Sequence, residues 1–310
     1  MAGKTARVAA TRLRLGRRTR RGTGLRQVPW LLVVPCLVAV LAFRYTPSVL
    51  GALYAFTDWT GLSLNAHWIG TKNFHAILTN AETSSALLRT LELAGLFVLI
   101  ANALGLALAL VFQRAITRNF LRALIFLPFA LSELATAYIW QYIFQYDGPL
   151  NKALVAIGLG SWRKAWLADP HWAFFTILVV MVWQFTGLTM VIYLAGLEGI
   201  PEDLSDAAAV DGASRWMRFR RVTFPLLAPA LTVSVGITLI FGLSTFSQVI
   251  ALTGGGPVTS TETLATEMYK YTFTYGEFGY GAALALTLTV VVTIIATLQI
   301  GVFRARESRL

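Results

Sequence analysis

The chain has 310 residues, of which 56% are apolar and 13% are charged, and its formal net charge is +11. A soluble domain of this size cannot bury so much apolar surface in one core, so the composition excludes a soluble enzyme, a disordered protein and a disulfide scaffold. It predicts an integral membrane protein with several spans, in agreement with the mean hydropathy of +0.64.

Six apolar stretches are long enough to cross a bilayer, which takes about 20 residues. The first begins near residue 28 and continues to about residue 56, with Arg44 as an interruption, and no small-residue cleavage site follows it. The other predicted spans are 93–112, 121–146, 174–197, 226–252 and 280–303. The sequence therefore predicts an all-α polytopic protein with a basic tail over 1–27, a six-helix domain over 28–303 and a short tail over 304–310.

Basic residues are distributed unevenly along the chain. Nine of the 26 lie before Trp30, and 19 of the 26 fall on the cytoplasmic side if the N-terminus is cytoplasmic. This distribution favours a cell-membrane protein with both termini in the cytoplasm. We expect the basic tail to lie on anionic lipid headgroups, and we expect no nucleic acid partner.

The connection between the fourth and fifth spans, residues 198–225, has the most informative pattern. Pro201 suits the first position of a helix, and Gly212 is placed to end that helix in a left-handed conformation. Ser214 is placed to cap a second short helix. The pattern predicts two short helices that meet at a glycine elbow on the cytoplasmic face, with small alanines that allow another protein to approach closely.

This loop resembles the conserved cytoplasmic loop of binding-protein-dependent ABC importer permeases. The family pattern is Glu-Ala-Ala, two free residues, Asp-Gly-Ala, five free residues, Phe and a later Pro. The first position is Asp206 instead of Glu, and the other matching residues are Ala207, Ala208, Asp211, Gly212, Ala213, Phe219 and Pro225. The stretches 252–257 and 279–283 resemble the sugar-permease branch of the family, which includes maltose-type and glycerol-phosphate-type importers.

The resemblance implies a type I ABC importer permease fold and a subunit with no catalytic residue and no cofactor of its own. It implies a heterodimer with a second, related permease and an external solute-binding protein that delivers sugar. It also implies two cytoplasmic ATP-binding subunits, which bind the ATP and Mg²⁺ and dock on the 201–224 loop. Asp206 is then expected to pair with a basic residue of the ATPase, whereas Asp211 either faces the ATPase or caps local backbone groups near Gly212.

Polar residues at membrane depth are costly and usually line a pathway or join helices. Because sugars bind through hydrogen bonds and aromatic stacking, the polar and aromatic residues of the middle spans are candidates for the sugar pathway. They are Glu133, Gln141, Trp183, Gln184, Phe185, Ser244 and Thr245. Resemblance to maltose-type permeases points to the same places in the fourth and fifth spans, although Gln184 is equally suited to joining helices.

Two other classes of function are compatible with polar groups inside the spans. An ion-gradient-coupled carrier would use Glu133 as its proton site, and a membrane-embedded enzyme would use Glu133 or Asp147 as an acid or base. The glycine-elbow loop argues against both. The three histidines are scattered without ligand spacing, so we predict no metal site.

Overall fold

The computed structural model describes residues 30–62, 65–113 and 118–307. The basic tail predicted over 1–27 and the last three residues lie outside this part of the chain. Pairing of the β type among the described residues is limited to one isolated bridge between Thr57 and Trp68. The predicted all-α fold is therefore confirmed.

Helices follow one another along the described residues and are separated by turns and short loops. They are α1 (Trp30–Val40), α2 (Thr46–Tyr54), α3 (Lys72–Thr79), α4 (Ala81–Phe112), α5 (Arg118–Ala130), α6 (Glu133–Ile143), α7 (Pro149–Ala156), α8 (Pro170–Glu198), α9 (Glu202–Val210), α10 (Arg215–Arg218), α11 (Phe224–Leu226), α12 (Ala228–Leu243), α13 (Ser247–Leu252), α14 (Leu264–Tyr269) and α15 (Phe278–Glu307). Short π-helical segments lie at Leu41–Tyr45, Phe219–Thr223 and Lys270–Thr274, and a 3-10 turn lies at Gly160–Trp162.

Four helical stretches within the described residues are long and apolar enough to cross a membrane. They are Val33–Tyr54, Ala81–Phe112, Pro170–Glu198 and Phe278–Ala305. Two bent pairs of helices bring the number to six if each pair is one span: α5 meets α6 at 95°, and the Arg215–Leu226 segment meets α12 at 67°. The structure thus agrees with a polytopic membrane protein of up to six spans.

Two predicted spans are not continuous helices, which corrects the sequence-based boundaries. The third, predicted over 121–146, breaks at Leu131 and Ser132, and its second helix ends at Ile143. The fifth, predicted over 226–252, breaks after Leu243 and resumes at Ser247. Hydropathy is averaged over about 19 residues, so a break of two or three residues leaves no trace in it.

Two further boundaries extend beyond the predicted ones. The helix of the second span begins at Ala81 rather than near residue 93, because the side chain of Asn80 accepts a hydrogen bond from the Glu82 amide (2.9 Å) and caps it. The helix of the last span continues to Glu307, four residues into the predicted C-terminal tail.

The structure divides into two units, one that ends at Val49 and one that begins at Leu50. In the first unit, the side chains from Val34 to Val49 are exposed. They are mostly apolar, as expected of a helix whose surroundings are hydrocarbon.

In the unit that begins at Leu50, α8 is the central helix. Of the most apolar 18-residue segment of α8, 72% is buried inside the protein. The buried share of the corresponding segment is 28% in α4 and 17% in α15. One apolar cluster surrounds the first half of α8 and includes Phe97, Met181 and Phe185. A second cluster surrounds its later half and includes Met190 and Leu197.

Asn102 joins three of these helices through polar contacts inside the apolar core. Its side-chain carbonyl accepts hydrogen bonds from the hydroxyls of Tyr193 (2.8 Å) and Ser234 (2.7 Å). Its amide donates to the Thr238 hydroxyl (2.9 Å) and to the Val98 carbonyl (2.8 Å). Because α4, α8 and α12 are each held by this one side chain, they are expected to move together.

The helices define two ends of the second unit. At the first, called the α9 end, Gln113 shares a cavity with Ser205 and Arg215. At the second, called the α14 end, Arg89 near the start of α4 donates a hydrogen bond to the Thr259 carbonyl and shares a cavity with Pro170 at the start of α8. α4 and α8 therefore run in the same direction, from the α14 end to the α9 end.

Gly187 is a position where α8 and α5 touch through their backbones. A Cβ atom there would lie 2.7 Å from the Phe126 Cα and closer still to the Ile125 carbonyl oxygen. We expect Gly187→Ala to lower the free energy of unfolding by about 1–3 kcal/mol through overpacking. Thermal unfolding in detergent measures this. Gly95→Ala in α4 is the control, because a Cβ atom meets nothing within 4 Å there; equal losses from both variants would contradict the close packing of α5 on α8.

Candidate functional site

Residues 198–225 form the predicted pair of short helices at the α9 end. The amide of Gly212 donates to the Ala209 carbonyl (3.0 Å), and the amide of Ala213 donates to the Ala208 carbonyl (3.0 Å), which together make a Schellman motif at the end of α9. Gly212 has a φ of +77°, in the left-handed region. The predicted glycine elbow is present, although Pro201 precedes α9 as its N-cap residue rather than opening it.

The second short helix starts at Ser214, whose hydroxyl accepts a hydrogen bond from the Met217 amide (3.3 Å). The rings of Trp216 and Phe219 stack at 5.6 Å, and the ring of Phe224 lies 5.9 Å from that of Phe219. Phe219 is half-buried and therefore joins α10 to the start of the fifth span. Of these aromatic rings, Trp216 is the one turned most toward the surroundings, with 68% of its surface exposed.

The surface of the elbow combines small, apolar and acidic side chains. Val210 is 89% exposed and lies on the same elbow as the exposed Trp216, so two large apolar side chains face outward together. Asp206 and Asp211 are exposed, and neither side chain forms a hydrogen bond or ion pair with another residue that the structure describes. The local capping role considered for Asp211 is therefore not seen, and both carboxylates are available to a partner.

The alanines that match the family pattern lie around the elbow and leave a cleft open beside it. Ala207 is exposed, and Ala208 and Ala213 are half-buried. Beside them is a cleft of about 310 Å³ that is also lined by Arg218 and Arg221. A surface with exposed apolar side chains, short side chains and both signs of charge is suited to docking another protein.

The candidate pathway residues lie around the two helix breaks, which a chain of hydrogen bonds connects. The amide of Gln184 donates to the Leu131 carbonyl (3.1 Å) at the α5–α6 break. The amide of Gln248 donates to the side-chain carbonyl of Gln184 (3.2 Å), and the hydroxyl of Thr245 donates to that of Gln248 (3.2 Å). All three polar side chains are at most 3% exposed. Gln184 and Thr245 therefore hold the breaks together, the helix-joining alternative considered for Gln184.

The three consecutive candidates of α8 point in different directions. Trp183 is 41% exposed and lines an apolar cleft of about 680 Å³ between α4, α5 and α8. Phe185 is buried and packs edge-on against Phe97 (5.4 Å) and Phe129 (5.4 Å). Gln184 belongs to the break network, which is the chain of hydrogen bonds that joins the Leu131 carbonyl, Gln184, Gln248 and Thr245. The three consecutive residues of α8 therefore do not converge on one ligand.

Glu133, Gln141 and Ser244 are the polar candidates that keep some exposure. Glu133 and Gln141 are half-buried on α6, and Ser244 is exposed at the α12–α13 break. The Ser247 hydroxyl lies beside Glu133, so the start of α6 meets the start of α13. These residues place a polar patch next to both breaks.

Sequence reasoning missed the Leu131 carbonyl, which is the acceptor at the centre of this region. A weak local signal was present in Pro128 and in Ser132 followed by Glu133, since proline disfavours the helix interior and serine favours helix N-termini. The partner of that carbonyl is 53 residues away in the chain. No local sequence pattern predicts such a contact.

Comparisons with known proteins place this geometry in context. Residues 101–307 match the family described as binding-protein-dependent transport system inner membrane component. The chain is 35% identical over 279 residues to a probable starch degradation products transport system permease protein of Thermoanaerobacterium thermosulfurigenes, which covers 90% of this chain and 94% of that protein. It is 33% identical over 249 residues to a trehalose/maltose transport system permease protein of Thermococcus litoralis, with 78% and 82% covered.

A solved structure is similar over nearly the same range. A chain of a bacterial ABC transporter involved in the import of the acidic polysaccharide alginate superposes with a TM-score of 0.77 at 25% identity, covering 89% of this chain and 94% of that chain. The similarity of fold therefore extends over most of the chain.

The break network makes a sharp prediction at Gln184. Gln184→Leu leaves the Leu131 carbonyl and the Gln248 amide without their partner, and we expect a loss of about 1–2 kcal/mol in the free energy of unfolding. The matched control is Gln141→Leu, which removes an amide from a half-buried site outside the network. Thermal unfolding of both variants in detergent decides; a Gln184→Leu variant as stable as the control would show that the network is unimportant.

Proposed function

Since the chain belongs to the family of binding-protein-dependent transport system inner membrane components, we propose that it is the permease subunit of an ATP-driven importer for a sugar or oligosaccharide. The chain is a multi-pass membrane transport subunit of the type I importer fold. The substrate class is supported by relatives named for starch products and for trehalose and maltose. The proton-coupled carrier with Glu133 as its site is not favoured by these relatives.

The observation that carries the coupling part of the proposal is the exposed glycine elbow at the α9 end. Val210 and Trp216 are exposed there, and Asp206 and Asp211 are unpaired among the described residues. An ATP-binding subunit that docks on this surface buries the two apolar side chains and brings basic groups to the carboxylates. ATP and Mg²⁺ belong to that subunit, and this chain supplies the docking surface.

The orientation follows from the same assignment. The α9 end faces the cytoplasm, and the α14 end faces outward. The distribution of basic residues along the sequence supports the proposal that both termini are also cytoplasmic. Arg122, Arg215, Arg218 and Arg221 lie at or near the α9 end, as expected of a cytoplasmic face. A solute-binding protein then delivers sugar at the α14 end, and a second, related permease completes the pathway.

Transport in this scheme is a two-state switch. ATP binding brings the two nucleotide subunits together, and the elbow transmits the motion to the helices that contact it. Arg122 of α5 forms an ion pair with Glu198 of α8 (3.1 Å) at the same end, so displacement of the elbow reaches both helices. Sugar passes near the polar patch of Glu133, Gln141 and Ser244 once the pathway opens.

Substitutions at the elbow test the docking surface. Gly212→Val places a β-branched residue in the left-handed region, which costs at least about 1–2 kcal/mol locally, so we expect the detergent-solubilised complex to lose its ATPase in affinity purification. Gly212→Asn is expected to keep more ATPase, because asparagine tolerates this conformation.

The matched control for this experiment is Gly199→Val, at a position in the same loop with a φ of −81°. It should retain the ATPase. Equal retention by all three variants would show that the elbow is not the docking site.

The energy source for uptake distinguishes the proposed ATP-driven importer from a proton-coupled carrier. In proteoliposomes that contain the whole complex, we expect sugar uptake to require ATP and to be unaffected by collapse of the proton gradient. Glu133→Gln should keep the ATP dependence, because no proton passes through Glu133 in this scheme. Uptake that follows a proton gradient without ATP, and that Glu133→Gln abolishes, would establish the carrier instead.

A further inference from the structure

Three carboxylates that are far apart in the sequence meet at the α14 end. Glu82 lies in the first turn of α4, Glu262 lies just before α14, and Glu267 lies within α14. One carboxylate oxygen of each residue lies within 4.8 Å of the others. These three carboxylates form the outer acidic cluster, and none of them belongs to the polar patch of the proposed sugar pathway.

Glu267 is the member that the surrounding protein leaves unsatisfied. It is 0% exposed, and neither of its carboxylate oxygens accepts a hydrogen bond from the residues that the structure describes. Burial raises the pKa of Glu267 to about 7, although the nearby Thr83 hydroxyl opposes this. Buried polar groups are nearly always paired, so this carboxylate is expected to have a partner other than the side chains that the structure describes.

Lys270 balances only part of the cluster. Its ammonium lies 3.3 Å from Glu82 and 3.3 Å from Glu262. Burial lowers the pKa of Lys270, but the two carboxylates raise it by more, so the ammonium keeps its proton. Lys270 forms ion pairs within the cluster of three carboxylates, and the charge of Arg89 acts on Glu262 from a distance while its guanidinium donates to the Thr259 carbonyl.

We propose that Glu82, Glu262 and Glu267 together bind a divalent cation, for which Ca²⁺ is the best match. A divalent cation and the Lys270 ammonium carry three positive charges against three carboxylates. The three oxygens lie within 4.8 Å of one another, so a point shared by all three lies at most about 2.8 Å from each oxygen, close to the range of about 2.3–2.6 Å that Ca²⁺ adopts. Mg²⁺ requires bonds of about 2.0–2.1 Å and near-octahedral geometry, so it fits less well.

The cation would add a further link between the start of α4 and the segment that contains α14. Glu82 fixes the start of α4, whereas Glu262 and Glu267 fix the loop before α14 and α14 itself. The Leu264 amide already donates to the Thr90 hydroxyl of α4 (2.9 Å), which holds the two elements at the right separation. The ion therefore stabilises the rim of the protein at the end opposite the glycine elbow.

The test uses the full chain in detergent, stripped with a chelator, with Ca²⁺ alone as the probe. We expect Ca²⁺ to raise the unfolding temperature of the wild type, and Mg²⁺ at equal concentration to raise it less. Glu267→Gln should be at least as stable as the stripped wild type, because it removes a buried charge, and it should lose the response to Ca²⁺.

Glu82→Gln is the second variant, since the Glu82 side chain is 40% exposed and the substitution leaves the fold intact. Its Ca²⁺ affinity, measured by calorimetric titration, should fall by about tenfold or more. Glu92→Gln, an exposed glutamate of α4 outside the cluster, is the matched control and should bind Ca²⁺ as the wild type does. An absent response in the wild type, or one that Glu82→Gln and Glu267→Gln leave unchanged, overturns the proposal.

Discussion

The arrangement of the helices depends on the pairing of backbone polar groups inside a membrane. Hydrocarbon offers no hydrogen bonds, so a helix can break at membrane depth only where protein groups, or water in a cavity, replace the lost partners. The α5–α6 break leaves the Leu131 carbonyl to be satisfied, and Gln184 satisfies it from α8. Gln184 in turn holds Gln248 of α13, so one buried side chain supports both breaks.

This dependence explains why α8 is the most enclosed helix. It carries Gln184 near its middle and, further along, Thr189 and Tyr193, which donate hydrogen bonds to the Ala101 carbonyl and to Asn102. A helix exposed to lipid could not satisfy groups on three neighbours at once. The polar contacts of α8 therefore require its burial, and the apolar clusters around Phe97 and Met190 fill the space that remains.

The features that could be predicted from the sequence are those determined by residues close together in the chain. Apolar runs located the helices, and Gly212 with Ser214 located the elbow, because a left-handed glycine and a serine cap act on their immediate neighbours. The helix breaks and the outer acidic cluster were not predicted. Gln184 is 53 residues from Leu131, and Lys270 is 188 residues from Glu82, so neither contact has a local signature.

Features set by neighbouring residues and contacts between distant residues lie in different parts of the molecule. This difference determines how motion passes from one part to the other. The elbow at the α9 end is locally determined and exposed, so it can be displaced with little cost to the core. The contacts of Asn102 and Gln184 are buried and join α4, α8, α12 and α13. Breaking either would leave several polar groups unpaired in hydrocarbon, so these helices respond to a displaced elbow as one rigid body. The deformable position is then the bend at Leu227 before α12, which lies between that body and the elbow.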